Sequence, residues 1–304
     1  MPGATVRHAY PSPLKTVRDL LRLAVSRFTA AKLSFGHGSA NAYDEAAYLV
    51  LHTLSLPLDT LDPFLDARLL PEEIDAVLKV IDRRVTERVP AAYITHEAFM
   101  HGLRFYVDSR VIVPRSFIGE LLQDGLEPWL GDIEQIGPVL ELCTGSGCLP
   151  IIAAHVWPNA RIDAVDISSD ALAVARRNVA DYKMEDRIAL YEGDLYAPLP
   201  SGATYDVILT NPPYVNEQSM RDLPAEYLAE PRLALAGGDD GMDVVRRIVA
   251  GARKRLNPGG VLVVEIGNEH DNVEAAFPDL DIVWLSVSAG DDQVFLVTYD
   301  ALPD

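Results

Sequence analysis

Tyr205-Asp206-Val207-Ile208-Leu209-Thr210-Asn211-Pro212-Pro213-Tyr214 is the stretch from which this chain of 304 residues is best read. Its first six residues form an apolar run that reads as a buried strand. Its last four then occupy the loop at the strand's C-terminal end, where open α/β sheets place their ligands. Two consecutive prolines remove two backbone N–H donors and fix two φ angles. The residue before each proline is pushed out of the helical region. The loop edge is therefore stiff and offers carbonyl acceptors. Asn211 adds a side-chain carbonyl and Tyr214 a flat ring. Such an edge suits a planar –NH2 group, as on glutamine, asparagine, adenine, cytosine or guanine. Two acceptors take its two hydrogens while the aromatic face packs on its plane. An amide nitrogen is a poor nucleophile because its lone pair is delocalised. Acceptors on both hydrogens orient the nitrogen and stabilise the positive charge that develops as it attacks an electrophile.

Upstream lies the second landmark. Pro138–Leu142 is a short apolar strand, and Glu141-Leu142-Cys143-Thr144-Gly145-Ser146-Gly147-Cys148 leads from it into an apolar helix over Leu149–Val156. Gly145 and Gly147 let backbone approach a ligand closely, and the helix start adds free N–H groups. A further strand, Arg161–Val165, ends at Asp166, about 20 residues after the loop, where a ribose-binding carboxylate is expected. Glycine loop plus ribose acid fits a dinucleotide or S-adenosylmethionine. The dinucleotide fingerprint wants a third glycine where this chain has Pro150. Glu141 at the strand end suits a cationic amino-acid ligand better than a pyrophosphate. After a helix over Asp170–Asp181 and a strand over Ile188–Tyr191 comes Asp194, positioned to accept from an adenine amino group, with Leu195 to pack on the ring. Past Asn211, a helix to about Leu256, a turn at Asn257–Gly260 and a strand over Val261–Ile266 are expected. Two strands near Ile282–Val287 and Gln293–Tyr299 would close the sheet as an antiparallel pair.

The N-terminal third reads differently. Helical spacing runs over Ser12–Leu33, Asp44–Leu54 and Pro71–Val89. Two short extended runs, Glu97–Met100 and Leu103–Val107, flank His101-Gly102, a two-residue turn signal. An extended piece over Arg110–Val113 leads to Pro114-Arg115-Ser116, with Ser116 as a cap for a helix over Phe117–Leu130. Arg115 can be a ligand contact or a surface charge. The Glu230–Gly241 segment can face substrate or merely connect. The resulting division is a helical domain over residues 1–92, a hairpin linker over 93–116 and a catalytic domain over 117–304.

A net charge of −19 argues against direct DNA binding, because acidic surfaces repel a phosphate backbone, and favours a small or basic protein partner. The two cysteines, with no metal-ligand cluster around them, read as free thiols in a reducing cytoplasm; no metal is expected. Neither a signal peptide nor a membrane span is expected.

The order of glycine loop, Asp166, Asp194 and Asn-Pro-Pro-Tyr resembles the class I S-adenosylmethionine-dependent methyltransferases of amino nitrogens, a Rossmann-like, doubly wound α/β fold. Along nearly its whole length the chain is similar to the protein-glutamine methyltransferases. One branch of these acts on peptide-chain release factors and the other on large-subunit ribosomal protein three. Phe35-Gly36-His37-Gly38, Tyr43-Asp44-Glu45-Ala46, Phe105–Asp108, Arg110–Ser116 and Cys143–Cys148 look like the ribosomal-protein branch. The resemblance implies cofactor contacts at Glu141, Leu142, Cys143, Thr144, Gly145, Asp166, Asp194 and Asn211. It also implies a glutamine clamp at Asn211, Pro212, Pro213 and Tyr214, and an N-terminal domain that recognises substrate. Rivals are a release-factor enzyme, an adenine exocyclic-amine methyltransferase and a non-catalytic protein on the same fold.

Overall fold

The computed structural model describes residues 14–126 and 129–303. The start of the first expected helix at Ser12, residues 127 and 128 of the expected Phe117–Leu130 helix, and the first residues, read as lacking a signal peptide, lie outside them. The chain divides into two compact units, Met1–Thr95 and His96–Asp304.

The first unit is helical: α1 (Val17–Ala30), α2 (Ala42–Thr53), α3 (Pro71–Thr86) and the short α4 (Ala91–Thr95). Thr16 begins α1 with a reciprocal cap: its hydroxyl accepts from Asp19 N–H and the Asp19 carboxylate accepts from Thr16 N–H. Val17, Leu20, Leu21, Ala24 and Phe28 form a buried stripe that packs with Leu49 and Val50 of α2 and Val77 and Ile81 of α3. Within this core Arg84 donates to Glu45 at 2.7 Å and to the Ser34 carbonyl at 3.0 Å. Both charged side chains are 1% exposed, so each needs the other.

The second unit opens with the hairpin β1 (Glu97–Met100) and β2 (Leu103–Tyr106), in register Met100↔Leu103. His101 and Gly102 both have positive φ, as a mirror-image turn requires. Asn178 holds this hairpin: its carbonyl accepts from Tyr106 N–H at 2.8 Å, and its –NH2 donates to the carbonyls of Tyr106 and Ser146. The expected extended piece at Arg110–Val113 forms no strand: the chain turns at Ser109-Arg110 and bends at Val111. The Asp108 carboxylate takes the Arg110 N–H and its guanidinium, which curls the chain. Then come α5 (Ile118–Gln123), shorter than expected because the chain turns through positive φ at Gly125 and Leu126, β3 (Pro138–Leu142), α6 (Cys148–Val156), β4 (Arg161–Asp166), α7 (Ser169–Asp181) and β5 (Ile188–Glu192). After them follow β6 (Tyr205–Thr210), α8 (Glu217–Asp222), α9 (Asp243–Ala252), β7 (Leu256–Glu265), α10 (His270–Ala276), β8 (Val283–Val287) and β9 (Gly290–Thr298).

Seven strands form one sheet in the order β5-β4-β3-β6-β7-β9-β8. The first five are parallel, and β9 lies antiparallel to both β7 and β8. Asn257–Gly260, expected as a turn before a strand, is an irregularity inside β7: Tyr205 pairs with Leu256, but Val207 already pairs with Val261. Strand order reverses beside β3, so the loops after β4, β3 and β6 emerge next to one another. That is the crevice where such sheets hold ligands.

Candidate active site

Three neighbouring strand ends build the site. Leu142 pairs with Val165 on one side and Thr210 on the other, which sets Cys143, Asp166 and Asn211 at the same level of the sheet. Cys143 leaves the strand with φ +63°, Gly145 follows at +55° and Gly147 starts α6 at +76°. A Cβ on Gly147 would press on Ala175 of α7 at 3.2 Å, so this glycine is demanded by helix packing. A Cβ on Gly145 would meet nothing within 4 Å and would project into open space.

That space is a cavity of about 220 Å³. Cys143, Gly145, Asp166, Asp194, Leu195, Asn211 and Pro213, seven of the residues singled out in the sequence, line it. The Asp166 carboxylate accepts from the N–H groups of Gly145 at 2.8 Å and Ser168 at 2.9 Å, so it braces the glycine loop while facing the cavity. Burial raises its pKa, against the pull of these two N–H groups. Asp194 accepts from the Arg247 guanidinium of α9 at 2.6 Å, in a half-exposed pair.

Glu141, Leu142, Thr144, Gly147, Pro212 and Tyr214 are not among the residues lining this cavity. Glu141 is 2% exposed, and the Thr144 hydroxyl donates to it. Burial pushes its carboxyl up to about 8; the Thr144 bond opposes the rise and the Asp166 charge adds to it. Tyr214 is surrounded by glycine backbone. A Cβ on Gly237 would lie 2.7 Å from the Tyr214 Cα, one on Gly241 2.2 Å from its carbonyl oxygen, and one on Gly267 2.7 Å from its ring. Both cysteines are free, and burial raises both thiol pKa values.

Beside Asn211 lies a residue that the sequence reading passed over. Thr210 pairs with Val264, so Asn211 and Glu265 end adjacent strands. The Asn211 –NH2 donates to Glu265 Oε1 at 3.1 Å, and the Ser116 hydroxyl donates to Oε2 at 2.5 Å. The signal was available: Glu265 is an acid at the end of an apolar strand, much as Glu141 stands one residue before the end of its own. Ser116 also accepts from Ile118 N–H at 3.2 Å, but it is not the helix cap expected: α5 starts one residue later, with Phe117 at the N-cap position and no side-chain cap. Arg110 of the Arg110–Ser116 motif and Leu233 of the Glu230–Gly241 segment line the cavity as well, as do Ile167 and Arg247, which come from segments without local motifs.

Arg115 and the Glu230–Gly241 segment meet. Arg115 and Glu230 form a double hydrogen bond, which ties the Pro-Arg-Ser segment to the loop after α8. That loop pairs in turn with the residue after Tyr214: Val215 N–H donates to the Leu235 carbonyl and Gly237 N–H to the Val215 carbonyl.

A doubly wound sheet with a reversed C-terminal strand pair, a glycine loop and an Asn-Pro-Pro-Tyr loop on one cavity defines an S-adenosylmethionine-type α/β methyltransferase. Residues 130–282 match the family "Methyltransferase small domain". The chain is 68% identical to a ribosomal protein uL3 glutamine methyltransferase of Burkholderia pseudomallei, over 96% of this chain and 97% of that one. It is 61% identical to the protein of the same description from Bordetella pertussis, over 95% and 97%. Among solved structures, a methyltransferase from Pyrococcus furiosus aligns with a TM-score of 0.48 at 15% identity, over 66% of this chain and 89% of that one. The chain belongs to the family of ribosomal protein uL3 glutamine methyltransferases. Among the described residues no helix is long and apolar enough to cross a membrane.

Proposed function

We propose that this enzyme transfers a methyl group from S-adenosylmethionine to the side-chain amide nitrogen of a glutamine in ribosomal protein uL3, in the cytoplasm. The observation that carries the reading is the shared cavity: glycine loop, Asp166, Asp194 and Asn211 converge on it. The donor set fits the cofactor. Gly145 leaves room where a side chain would protrude, Asp166 offers carboxylate oxygens to a ribose, and Leu195 with Ile167 gives apolar surface for a base. Asp194 would meet the adenine amino group after sharing or releasing Arg247. Cys143 and Gly145 supply close backbone approach, with Leu142, Thr144 and Gly147 fixing the shape of that loop. Glu141 supports it through Thr144.

When bound, S-adenosylmethionine supplies a methyl group on a cationic sulfur that leaves as a neutral thioether once the amide nitrogen bonds to the methyl carbon. The chain's own residues prepare that nitrogen. Asn211 Oδ1 makes no hydrogen bond among the described residues, so it is available to accept one amide hydrogen. The Pro212 carbonyl accepts the other, Pro213 stiffens the rim, and Tyr214 packs on the amide plane. Charge developing on the nitrogen meets prearranged oxygen dipoles. The methylated nitrogen is far more acidic than the starting amide, so water or a loop carbonyl takes its surplus proton and no strong general base is required.

The acidic chain matches a basic ribosomal substrate, makes direct DNA binding unfavourable, and leaves the N-terminal helical unit as the candidate for substrate recognition. Labelled S-adenosylmethionine, incubated with separated ribosomal proteins and release factors and followed by mass mapping, tests this. Label on a uL3 glutamine is expected; label on a release factor, or none, overturns it.

A further inference from the structure

Asn211 can act as an acceptor only if its amide is turned the right way. An amide has two faces of similar shape and opposite polarity, and a flip would aim –NH2 at the substrate's own –NH2. Something must therefore hold the orientation. Asn211 Nδ2 donates to Glu265 Oε1 at 3.1 Å. Glu265 is 2% exposed and its second oxygen is taken by the Ser116 hydroxyl at 2.5 Å and, more weakly, by Ile118 N–H at 3.4 Å. Ser116 is itself 5% exposed and fixed by Ile118 N–H.

We propose that Glu265, held by Ser116, is the positioning residue that turns the Asn211 amide oxygen toward the glutamine nitrogen; this rests on the acceptor role given to Asn211 above. An ionised carboxylate only accepts, so the –NH2 is the sole part of the Asn211 amide it can face. A protonated Glu265 can donate instead, to the Asn211 oxygen, and the acceptor is then lost. Geometry thus makes the clamp dependent on ionisation. The groups around Glu265 set where that falls: burial pushes its carboxyl up to about 7, opposed by the Ser116 hydroxyl, the N–H groups of Ile118 and Phe117, and the charge of Arg115. The Tyr214 phenol is also a titratable neighbour, and burial holds it neutral.

The test measures methyl transfer to uL3 across pH for wild type, Asn211→Ala, Glu265→Gln and Ser116→Ala, with S-adenosylmethionine affinity by calorimetry. Wild-type activity should rise with pH through about 7. Asn211→Ala should lose on the order of 10²–10³ in kcat. If wild type transfers nothing, or Asn211→Ala turns over normally, the function proposed above fails. If those two behave as expected, Glu265→Gln decides the positioning role. It should lose roughly tenfold or more in kcat, hold cofactor affinity within a few-fold, and flatten the low-pH limb. Retained kcat with an unchanged limb overturns the proposal. Ser116→Ala removes a bond that favours the ionised form, so its limb should move to higher pH. A limb that stays in place overturns the proposal even if Glu265→Gln does not fold.

Discussion

Arg115 grips both oxygens of Glu230, at 2.5 and 2.7 Å, across 115 positions of sequence. The Glu230 side chain is fully buried and that of Arg115 is 26% exposed. Glu230 Oε1 also accepts the Val113 N–H at 2.9 Å, so one carboxylate holds both a side chain and the backbone of the Pro-Arg-Ser segment. The same segment carries Ser116, which reaches Glu265, and three residues after Glu230 the loop carries Leu233 at the cavity. The pair fastens one wall of the site to the segment that braces Asn211.

Removing one partner should show it. Glu230→Ala leaves a partly buried guanidinium and a backbone N–H without their acceptor. A loss of about 3 kcal/mol in unfolding free energy is expected, read from denaturant midpoints. Arg115→Lys should fall between this variant and wild type, because an ammonium cannot reproduce the paired geometry. Equal midpoints for wild type and Glu230→Ala would remove the pair from the account.

Tyr214 depends on a glycine it does not neighbour in sequence. Gly267 has φ +52°, and a Cβ there would sit 2.7 Å from the Tyr214 ring. Gly267→Ala should displace that ring at a strain cost on the order of 1–3 kcal/mol. Methyl transfer should fall while calorimetric affinity for S-adenosylmethionine stays within a few-fold. An equal loss of both would mean that the substitution disturbs the whole site rather than the ring.

Asp166 serves the glycine loop and the cavity together. Asp166→Ala removes the acceptor for Gly145 and Ser168 N–H groups as well as the carboxylate proposed for the ribose. Cofactor affinity should drop on the order of tenfold or more, since hydrogen bonds to a charged group are worth about 1.5–3 kcal/mol each. Unchanged affinity would take the ribose role away from it.

Glu141 makes stability depend on pH in a direction opposite to a salt-bridged acid. Its folded pKa is raised, to about 8 from an ordinary 4.5, so the folded state binds a proton that the unfolded state has released. The stabilisation is fully present below about 4.5 and is lost as pH rises toward about 8. Melting temperature should decline over that window in wild type, and the decline should be shallower in Glu141→Gln, which keeps a hydrogen-bonding side chain but cannot ionise. Parallel curves would show that Glu141 is not the group responsible.

Much of this arrangement was legible along the chain. The strand Pro138–Leu142 has the expected bounds, the His101-Gly102 turn joins the expected hairpin, and the closing strand pair is antiparallel as read. These features depend on residues a few positions apart, where alternation, proline and glycine act directly on backbone dihedrals. Helix ends were read less well. The expected helix over Phe117–Leu130 stops at Gln123, because the chain turns through positive φ at Gly125 and Leu126, which apolar spacing does not report.

By itself the sequence determined the alternating strands and helices, the two loops rich in glycine and proline, and the residue types able to orient an amide nitrogen. The tertiary structure alone decided which of these groups meet. Ser116 and Glu265 are 149 positions apart, Asn211 and Glu265 are 54, and Arg247 and Asp194 are 53. Such pairs follow from sheet order, since β6 lies between β3 and β7 and carries Asn211 to the side of Glu265. Buried polar groups must find partners wherever the fold brings them, and local pattern holds no record of that choice.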